Sequence, residues 1–504
     1  MQNNLRRMRY DCNNRTRKIL RRTLHEAVLQ YFDVSTTTFL PKGKLMKKPN
    51  KLQTVLSVAS CKLTRSILRR TGRGGTALPG IVAMKISKNI LSVPTRDMEI
   101  VVVTGTNGKT TTCNMIEHAL IEGGHGCHRD QSGANLVHGI ASDLLCDTDW
   151  LGNPKSHYAV LEVDEAALKN LVPLIHPKVI VVTNVFTDQA DRFGNVENTL
   201  AEIRKGVKRS PDSILVLNAE DTQTSSLALG VPNKVIRYGL EATVGEQGNI
   251  DLTDAGKCPK CGGEYEYDYH IYAHLGGFRC PKCGYAHETP DVAVTSIDHT
   301  GTNGSTIHLR TDGHTEEVFV SLPAVYNVYN AAACVAAIKA LGLPAEEAIQ
   351  SLSNVRSAFG RMETFELGGN ILQMILVKNP AGCNQAFTYV TSFKDDFNAV
   401  LCLNNRTGDG HDFSWIEQTD YEKLCADPHL KKLYVCGDRA QDLYDRLQRA
   451  GASEDRMELV TDYAKLVDEL EQENCTTFLL PNYTAMMELR AALNPKTGNK
   501  DFWE

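Results

Sequence analysis

The 504-residue chain lacks long apolar runs. No stretch approaches the roughly 18 apolar residues that a membrane-spanning helix needs. The N-terminus is basic but has no apolar core segment, which excludes a secretory signal peptide. With 42% hydrophobic and 23% charged residues, the composition is typical of a soluble globular protein, and the length predicts two or three domains. The expected compartment is the cytoplasm.

Paired cysteines are also scarce. Of 15 cysteines, an odd number, only four have C-x2-C spacing. In a large chain without an export signal, this pattern favours reduced thiols and a metal site over a disulfide framework. The four are Cys258, Cys261, Cys280 and Cys283. Two such pairs predict a closed tetrahedral zinc site of the structural type, which leaves no open position for catalysis. We interpret residues 256–288 as a zinc ribbon inserted in a nucleotide-binding domain.

Acidic residues outnumber basic ones outside the N-terminus. Residues 1–50 carry twelve Lys/Arg against three acidic residues, which leaves a net charge of −14 on the remainder. An acidic body argues against nucleic acid as a partner, because phosphate contacts need a basic face. We predict that residues 1–55 form a disordered basic extension. The alternatives are an arm that binds an anionic membrane and an incorrectly assigned start upstream of Met46.

The sequence does contain a phosphate-binding loop. Ile100–Val103 predicts a buried strand, Gly105–Thr110 (GTNGKT) follows it, and the next residues predict a helix. A glycine loop between a strand and a helix turns backbone N–H groups and the helix dipole toward an anion. Lys109 would reach the β- and γ-phosphates, and the Thr110 hydroxyl would hold Mg²⁺. The alternative is a glycine turn before an ordinary helix.

Three further apolar runs each end in a polar cluster. They are Ala159–Val163, Lys178–Asn184 and Ile214–Asn218. Their alternation with helical segments predicts an α/β fold with a parallel sheet, whose ligands bind at the carboxyl ends of the strands. Glu162 lies at such an end, beside the phosphate loop, where Mg²⁺ would need a second ligand. A solvated strand end is the alternative.

Residues 365–504 repeat the alternation of strands and helices, which predicts a second, smaller doubly wound domain. The segment Gly360–Glu363 has the character of a hinge, where Arg361 could close onto phosphate or simply lie on the surface. A polar loop containing Asp409 and Asp412 follows one strand of this domain. Asp-Gly alone predicts only a turn there.

These motifs together resemble those of the Mur ligases and folylpolyglutamate synthases. The resemblance rests on TGTNGKTTT at 104–112, Asn184 with D-x-x-D at 188–191, LN at 217–218, N-x-x-N at 327–330 and GR-x-E at 360–363. From about residue 60 the chain resembles the MurT family, the ligase-like subunits of lipid II isoglutaminyl synthases. GGTALPG, SGANL, the four-cysteine ribbon, KNPAG-x-NQ and DG-x-D-x-SW carry that narrower resemblance. It implies a Mur-ligase central ATP-binding domain over 56–362 and a Rossmann-like C-terminal domain over 363–504.

The resemblance also implies an activity, that of a ligase forming C–N bonds with glutamine as amido donor. ATP would phosphorylate the α-carboxylate of D-glutamate in the lipid II stem peptide, and ammonia would displace phosphate from the acyl phosphate to give D-isoglutamine. A GatD-type glutaminase partner would supply the ammonia, since this chain has no G-x-C-x-G nucleophile elbow. The chain would act at the inner face of the cell membrane, in peptidoglycan synthesis.

Functional residues follow by the same resemblance. The implied ATP-binding set is Gly105, Thr106, Asn107, Gly108, Lys109, Thr110, Thr111, Asn327, Asn330 and Arg361. Asn330 and Asn327 would lie near the base, and Thr110 and Glu162 would hold Mg²⁺. Either Asp412 or Asp409 would complete the Cys-His pair of the glutaminase by orienting its imidazole.

Some positions depart from the Mur ligases. Gln189 and Tyr326 stand where those enzymes carry His, and their carbamylated lysine has no clear equivalent, Lys205 being the nearest candidate. These departures weaken the case for amino-acid ligation more than the case for amidation. Two alternatives therefore stay open: a stand-alone Mur- or folylpolyglutamate-type amino-acid ligase, and a nucleotide-gated zinc scaffold that binds a partner or nucleic acid without chemistry.

Overall fold

A computed structural model describes residues 48–70, 76–128, 133–187, 195–244, 254–301, 303–357 and 360–498. The predictions made for residues 1–47, Asp188, Gln189 and Asp191 lie outside these ranges. Among the described helices, none has the length and apolar character needed to cross a membrane.

The first sheet has nine strands and contains the predicted phosphate loop. Its spatial order is β11-β10-β9-β6-β5-β4-β1-β3-β2. The strands are β1 (Glu99–Thr104), β2 (Cys127–His128), β3 (Tyr158–Glu162), β4 (Val179–Val182), β5 (Ile214–Asn218), β6 (Val235–Leu240), β9 (Val292–Gly301), β10 (Gly304–Thr311) and β11 (His314–Val320). Pairing is parallel from β2 to β9 and antiparallel from β9 to β11. The predicted parallel sheet is therefore confirmed, and β1 is an interior strand between β4 and β3.

Helices cover both faces of this sheet. They are α1 (Lys51–Arg70), α2 (Leu78–Ile86), α3 (Lys109–Glu122), α4 (Val137–Cys146), α5 (Glu165–Ile175), α6 (Val196–Val207), the short α7 (Thr222–Ser225), α8 (Val325–Leu341) and α9 (Ala345–Ser351). The alanine-rich α8 is buried along nearly its whole length, since small side chains let it pack closely against the sheet. Helix α1 begins at Lys51, so the last residues of the predicted extension 1–55 belong to a helix.

A two-stranded hairpin lies between β6 and β9 in the chain. Its strands are β7 (Glu266–Tyr272) and β8 (Leu275–Arg279), paired antiparallel and flanked on either side by one C-x2-C pair. The insertion predicted at residues 256–288 thus contains a separate small sheet.

The second sheet has six strands in the order β12-β13-β17-β14-β15-β16. They are β12 (Arg361–Leu367), β13 (Asn370–Ile375), β14 (Phe397–Cys402), β15 (Leu430–Cys436), β16 (Met457–Leu459) and β17 (Thr476–Pro481). Its helices are α10 (Pro380–Val390), α11 (Tyr421–Cys425), α12 (Ala440–Arg449), α13 (Tyr463–Leu470) and α14 (Tyr483–Thr497). All pairings except β12–β13 are parallel, and one apolar cluster lies on each face. The predicted second α/β unit is confirmed.

Candidate active site

The phosphate loop joins the buried strand β1 to helix α3. Gly105 and Gly108 have φ of +120° and +84°, a region that residues with a side chain rarely adopt. A Cβ on Gly105 would lie 2.4 Å from the Thr183 Oγ1, and one on Gly108 would lie 2.3 Å from the Asn330 Oδ1. Both positions therefore require glycine. Because α3 begins at Lys109, its first backbone N–H groups belong to the loop and remain available to an anion.

The end of strand β4 supports this loop. The Asn107 N–H donates to the Asn184 Oδ1 at 2.9 Å, and the Asn184 side-chain amide donates back to the Asn107 carbonyl at 3.1 Å. The Thr183 hydroxyl donates to the same carbonyl at 2.7 Å. These bonds fix the loop backbone before any nucleotide binds, so little ordering is left to occur on binding.

Lys109 lies folded over the loop. Its ammonium donates to the Gly105 carbonyl at 2.5 Å and to the Glu165 Oε1 at 2.8 Å, and both charged side chains are buried. Glu165 is the first residue of α5, three positions after Glu162 at the end of β3. A buried ammonium held by one carboxylate can exchange that partner for a phosphate without crossing open solvent.

Thr110 and Glu162 meet at the mouth of the loop. The Thr110 hydroxyl donates to the Glu162 Oε2 at 2.7 Å. A hydroxyl beside a carboxylate is a pair of oxygen ligands of the kind that Mg²⁺ takes from a protein. The tertiary structure thus brings together the two residues predicted as magnesium ligands, which lie 52 residues apart in sequence.

Asn330 and Asn327 close the opposite wall. The Thr112 hydroxyl donates to the Asn330 Oδ1 at 3.2 Å, and the Asn330 amide donates to the Asn327 Oδ1 at 3.1 Å. Both asparagines lie on α8 and line a small cavity together with Asn107, Gly108 and Thr110. They are therefore in the same site as the loop, and Asn330 also supports the start of α3.

The second sheet's domain contributes to the same cavity. Arg361, at the start of β12, and Gly382, in α10, line it beside Tyr326 of α8. The Asn379 amide donates to the Asn107 Oδ1 at 3.1 Å, while its own Oδ1 accepts from the Gly382 N–H at 2.8 Å and caps α10. The N-terminus of α10 therefore faces the phosphate loop from the other domain.

A larger cleft of about 860 Å³ adjoins this cavity. It shares Phe186, Tyr272, Ala381 and Gln385 with the small cavity, and it extends along α10 toward Lys423 on α11. A cleft of this size, joined to a phosphate loop, can place a second substrate beside a bound nucleotide.

Asp409 and Asp412 differ in what surrounds them. The two carboxylate oxygens of Asp409 accept from the Thr484 N–H (2.7 Å), the Thr484 hydroxyl and the Arg406 N–H, which ties the loop to the start of α14. Asp412 is half-buried, and its Oδ1 accepts from the Ser414 N–H at 2.8 Å. Hydrogen bonds from the side chain and backbone of Ser414 lower the pKa of Asp412. Asp409 thus fixes the loop on α14, whereas the hydrogen bond to Asp412 comes from a residue two positions further along the chain.

The four paired cysteines converge at the base of the hairpin. The Sγ–Sγ distances are 3.5 Å for Cys258–Cys283 and 3.5 Å for Cys261–Cys280, and all four sulfur atoms lie within 4.8 Å of one another. Tetrahedral zinc with Zn–S bonds of about 2.3 Å separates its sulfur ligands by about 3.8 Å. The four-cysteine group could therefore hold such an ion.

Comparison with known proteins identifies the family. Residues 103–338 match the Mur ligase middle domain, and residues 376–486 match the MurT ligase C-terminal domain. The chain is 32% identical over 447 residues to the lipid II isoglutaminyl synthase (glutamine-hydrolyzing) subunit MurT of Streptococcus pneumoniae (strain ATCC BAA-255 / R6), covering 88% of this chain and 97% of the relative. The chain belongs to the MurT family.

Other relatives agree with this assignment to the MurT family. The MurT subunit of Staphylococcus aureus (strain COL) is 31% identical over 439 residues, which covers 86% of this chain and 96% of that subunit. Among solved structures, a pseudomurein peptide ligase type C from Methanothermus fervidus superimposes with a TM-score of 0.62 at 19% identity, over 81% of this chain and 80% of that one. MurF ligase from Thermotoga maritima in complex with ADP superimposes with a TM-score of 0.59 at 14% identity, over 83% of this chain and 84% of that one. At such identities these structures establish a Mur-ligase-like fold for this MurT-family chain and nothing further.

Sequence reasoning missed several residues of this MurT-family site. Asn379 belongs to KNPAG, a motif that served only to recognise the family. An Asn-Pro pair after a predicted strand is typical of a helix N-terminus, and this pattern could have indicated its position. Glu165 lies in the polar cluster that ends the run Ala159–Val163 and was given no role, yet it pairs with Lys109. Lys205, the nearest candidate for a carbamylated lysine, is largely exposed, pairs with Glu202 on α6 and does not line either cavity.

Proposed function

We propose that this chain is the synthetase subunit of a lipid II isoglutaminyl synthase. In this proposal it uses ATP to phosphorylate the α-carboxylate of D-glutamate in the lipid II stem peptide, and ammonia then displaces phosphate to leave the amide. The observation that carries the proposal is similarity to curated MurT subunits over 97% of their length. The proposed domains are 56–362, with a ribbon insertion over 256–288, and 363–504.

The phosphate loop would bind the nucleotide. Backbone N–H groups of the loop and of the first turn of α3 would surround the phosphates, and Lys109 would leave Glu165 to neutralise the transferring group. Thr110 and Glu162 fit Mg²⁺ because they offer adjacent oxygen ligands at the end of a strand. The bound ion would neutralise charge that develops on the phosphoryl oxygens.

The second domain would complete the site. An acyl phosphate reacts with water, so the cleft must exclude water until ammonia arrives. The contact of Asn379 with Asn107 supports a closed arrangement, because it brings the N-terminus of α10 against the phosphate loop. Arg361 would reach a phosphate oxygen from the first residue of β12, next to a bulge in the β12–β13 pairing.

A GatD-type glutaminase would be the partner, bound as a heterodimer. Of the two candidate aspartates, Asp412 is the one we assign to the partner's Cys-His pair. Both oxygens of Asp409 already accept hydrogen bonds that fix the loop on α14, whereas Asp412 accepts from Ser414, which lowers its pKa. An ionised carboxylate is what orients an imidazole and stabilises its charged form.

The test uses the chain co-purified with the glutaminase subunit of the same organism. Amidated lipid II is measured by mass spectrometry with ATP and either glutamine or free ammonia as nitrogen source. We expect Asp412→Asn to abolish the glutamine-dependent product and to spare the ammonia-dependent one. If Asp409→Asn alone shows that pattern, the assignment is reversed. A chain that instead adds a whole amino acid without a partner would overturn the proposed function.

The ribbon would hold one structural zinc ion per chain. The sulfur positions support it, because the 3.5 Å spacing of the two pairs is close to the roughly 3.8 Å that separates sulfur ligands about a tetrahedral zinc ion. Metal analysis of the purified chain, beside Cys258→Ser, tests this: we expect one equivalent of zinc in the wild type and a large loss in the variant. With lipid II as its substrate, the chain would act at the inner face of the cell membrane.

A further inference from the structure

The tip of the ribbon hairpin lies against the turn that follows β5. His274, between β7 and β8, is fully buried, and its Nε2 lies 3.1 Å from the Oδ1 of the equally buried Asp221. The His274 Nδ1 has no hydrogen-bond partner among the described residues. A buried N–H without a partner is costly, so the proton belongs on Nε2, which donates to Asp221. Asp221 comes from the ATP-binding domain, and the hairpin therefore inserts a donor into that domain's interior.

Asp221 also accepts a hydrogen bond from the segment that follows β4. Its Oδ2 accepts from the Val185 N–H at 2.9 Å, and its Oδ1 accepts from the Gln223 N–H at 2.8 Å. Burial acts to raise the pKa of Asp221, but the hydrogen bond from His274 and those from neighbouring groups outweigh it, so the pKa is lowered and the carboxylate is charged. A buried charged group with several donors has a nearly fixed position.

Phe186, which follows Val185 in the chain, hydrogen-bonds to the phosphate loop. Its N–H donates to the Thr106 Oγ1 at 3.0 Å, and the Thr106 hydroxyl donates to the Phe186 carbonyl at 3.2 Å. The Phe186 ring lies edge-on to His274, with centroids 4.9 Å apart, and stacks on Tyr272 at 6.2 Å. Phe186 and Tyr272 both line the small cavity beside the loop. The hairpin thus supplies one wall of that cavity.

A second set of hydrogen bonds holds the same segment after β4. Asp254, just before the first cysteine pair, accepts from the Thr187 N–H at 2.9 Å and from its hydroxyl at 2.5 Å. Residues 185–187 are therefore held from one side by the hairpin tip, through Asp221, and from the other by the start of the insertion.

We propose that His274 is a positioning residue of the nucleotide site, and that the cysteine ribbon sets the affinity for ATP through His274, Asp221 and Phe186. The inference rests on the proposed nucleotide site but not on the identity of the acceptor substrate. The insertion would then influence nucleotide binding, whereas a ribbon that only stabilised the fold would not.

The experiment measures ADP binding by calorimetry on the complex with the glutaminase, together with metal content and melting temperature. We expect His274→Ala to raise the Kd for ADP by about ten-fold, because the buried carboxylate of Asp221 loses one of the donors that fix its position. His274→Gln, whose amide nitrogen reaches the position of Nε2, should restore most of the affinity. His270→Ala is the matched control: His270 lies in the same hairpin, stacks on Tyr267, and is outside the path to Thr106.

The outcomes separate the alternatives. If wild-type protein does not bind ADP, the proposed nucleotide site itself fails. If it binds and His274→Ala binds equally well with its metal retained, or if His270→Ala weakens binding as much, the positioning role is wrong. Should the alanine variant not fold, His274→Asn replaces it, since its shorter amide fills the space without reaching Asp221. Equal affinity of the Asn and Gln variants would then overturn the proposal.

Discussion

Replacing Gly108 by alanine tests the geometry of the phosphate loop most directly. At φ +84° an alanine adopts the left-handed region, which costs roughly 1–2 kcal/mol. The new Cβ would also lie 2.3 Å from the Asn330 Oδ1, so the Asn330 amide must move and give up its bonds to Thr112 and Asn327. Each lost bond is worth about 1 kcal/mol, so we expect about 2 kcal/mol of loss at the site beyond the backbone strain.

Gly230 provides the matched control. Its φ is +71°, but nothing lies within 4 Å of the position a Cβ would take, and it is far from the loop in the exposed turn before β6. Gly230→Ala should therefore show the backbone strain alone. Calorimetry with ADP should give a Kd raised by roughly 30-fold for Gly108→Ala, given 1.4 kcal/mol per ten-fold, and an unchanged Kd for Gly230→Ala. Equal ADP affinities in the two folded variants would refute the argument from the loop geometry.

Two further predictions concern ionisable groups. Glu162→Gln keeps an acceptor for the Thr110 hydroxyl but removes the charge, so the Mg²⁺ concentration for half-maximal ATP hydrolysis should rise about ten-fold; an unchanged Mg²⁺ requirement would contradict the ligand role. Burial disfavours the charged form of His128, but hydrogen bonds to Asp143 and Asp147 outweigh it and raise the pKa to about 9. Because the folded pKa exceeds the unfolded value of about 6.5, this stabilisation, at most about 3 kcal/mol, is complete below pH 6.5 and is lost as the pH rises toward 9. Urea unfolding should show a much lower free energy of unfolding for His128→Asn than for wild type at pH 6, and a smaller difference at pH 9. An equal difference at the two pH values would count against a charged imidazole.

Local sequence determined the elements whose geometry depends on a few neighbouring residues. The strand, glycine loop and helix at 100–120 were predictable because only glycine tolerates the loop's backbone angles, and both predicted sheets were confirmed because apolar runs of strand length alternate with helical ones. The convergence of the four cysteines followed from their paired spacing. The carboxyl ends of parallel strands also meet at one edge, which is why Thr110 and Glu162 could be predicted as neighbours.

Only the tertiary structure decided which distant side chains meet. Asn107 contacts Asn379 across 272 residues, and His274 reaches Asp221 from an inserted hairpin, neither of which leaves a periodic or spacing signal in the chain. The difference in hydrogen-bond partners between Asp409 and Asp412 is of the same kind. The two lie three residues apart in one loop, and they differ because α14 happens to present Thr484 to the first of them. Residue type fixes what a side chain can bind, but the packing of separate elements fixes which partner is within a hydrogen bond's reach.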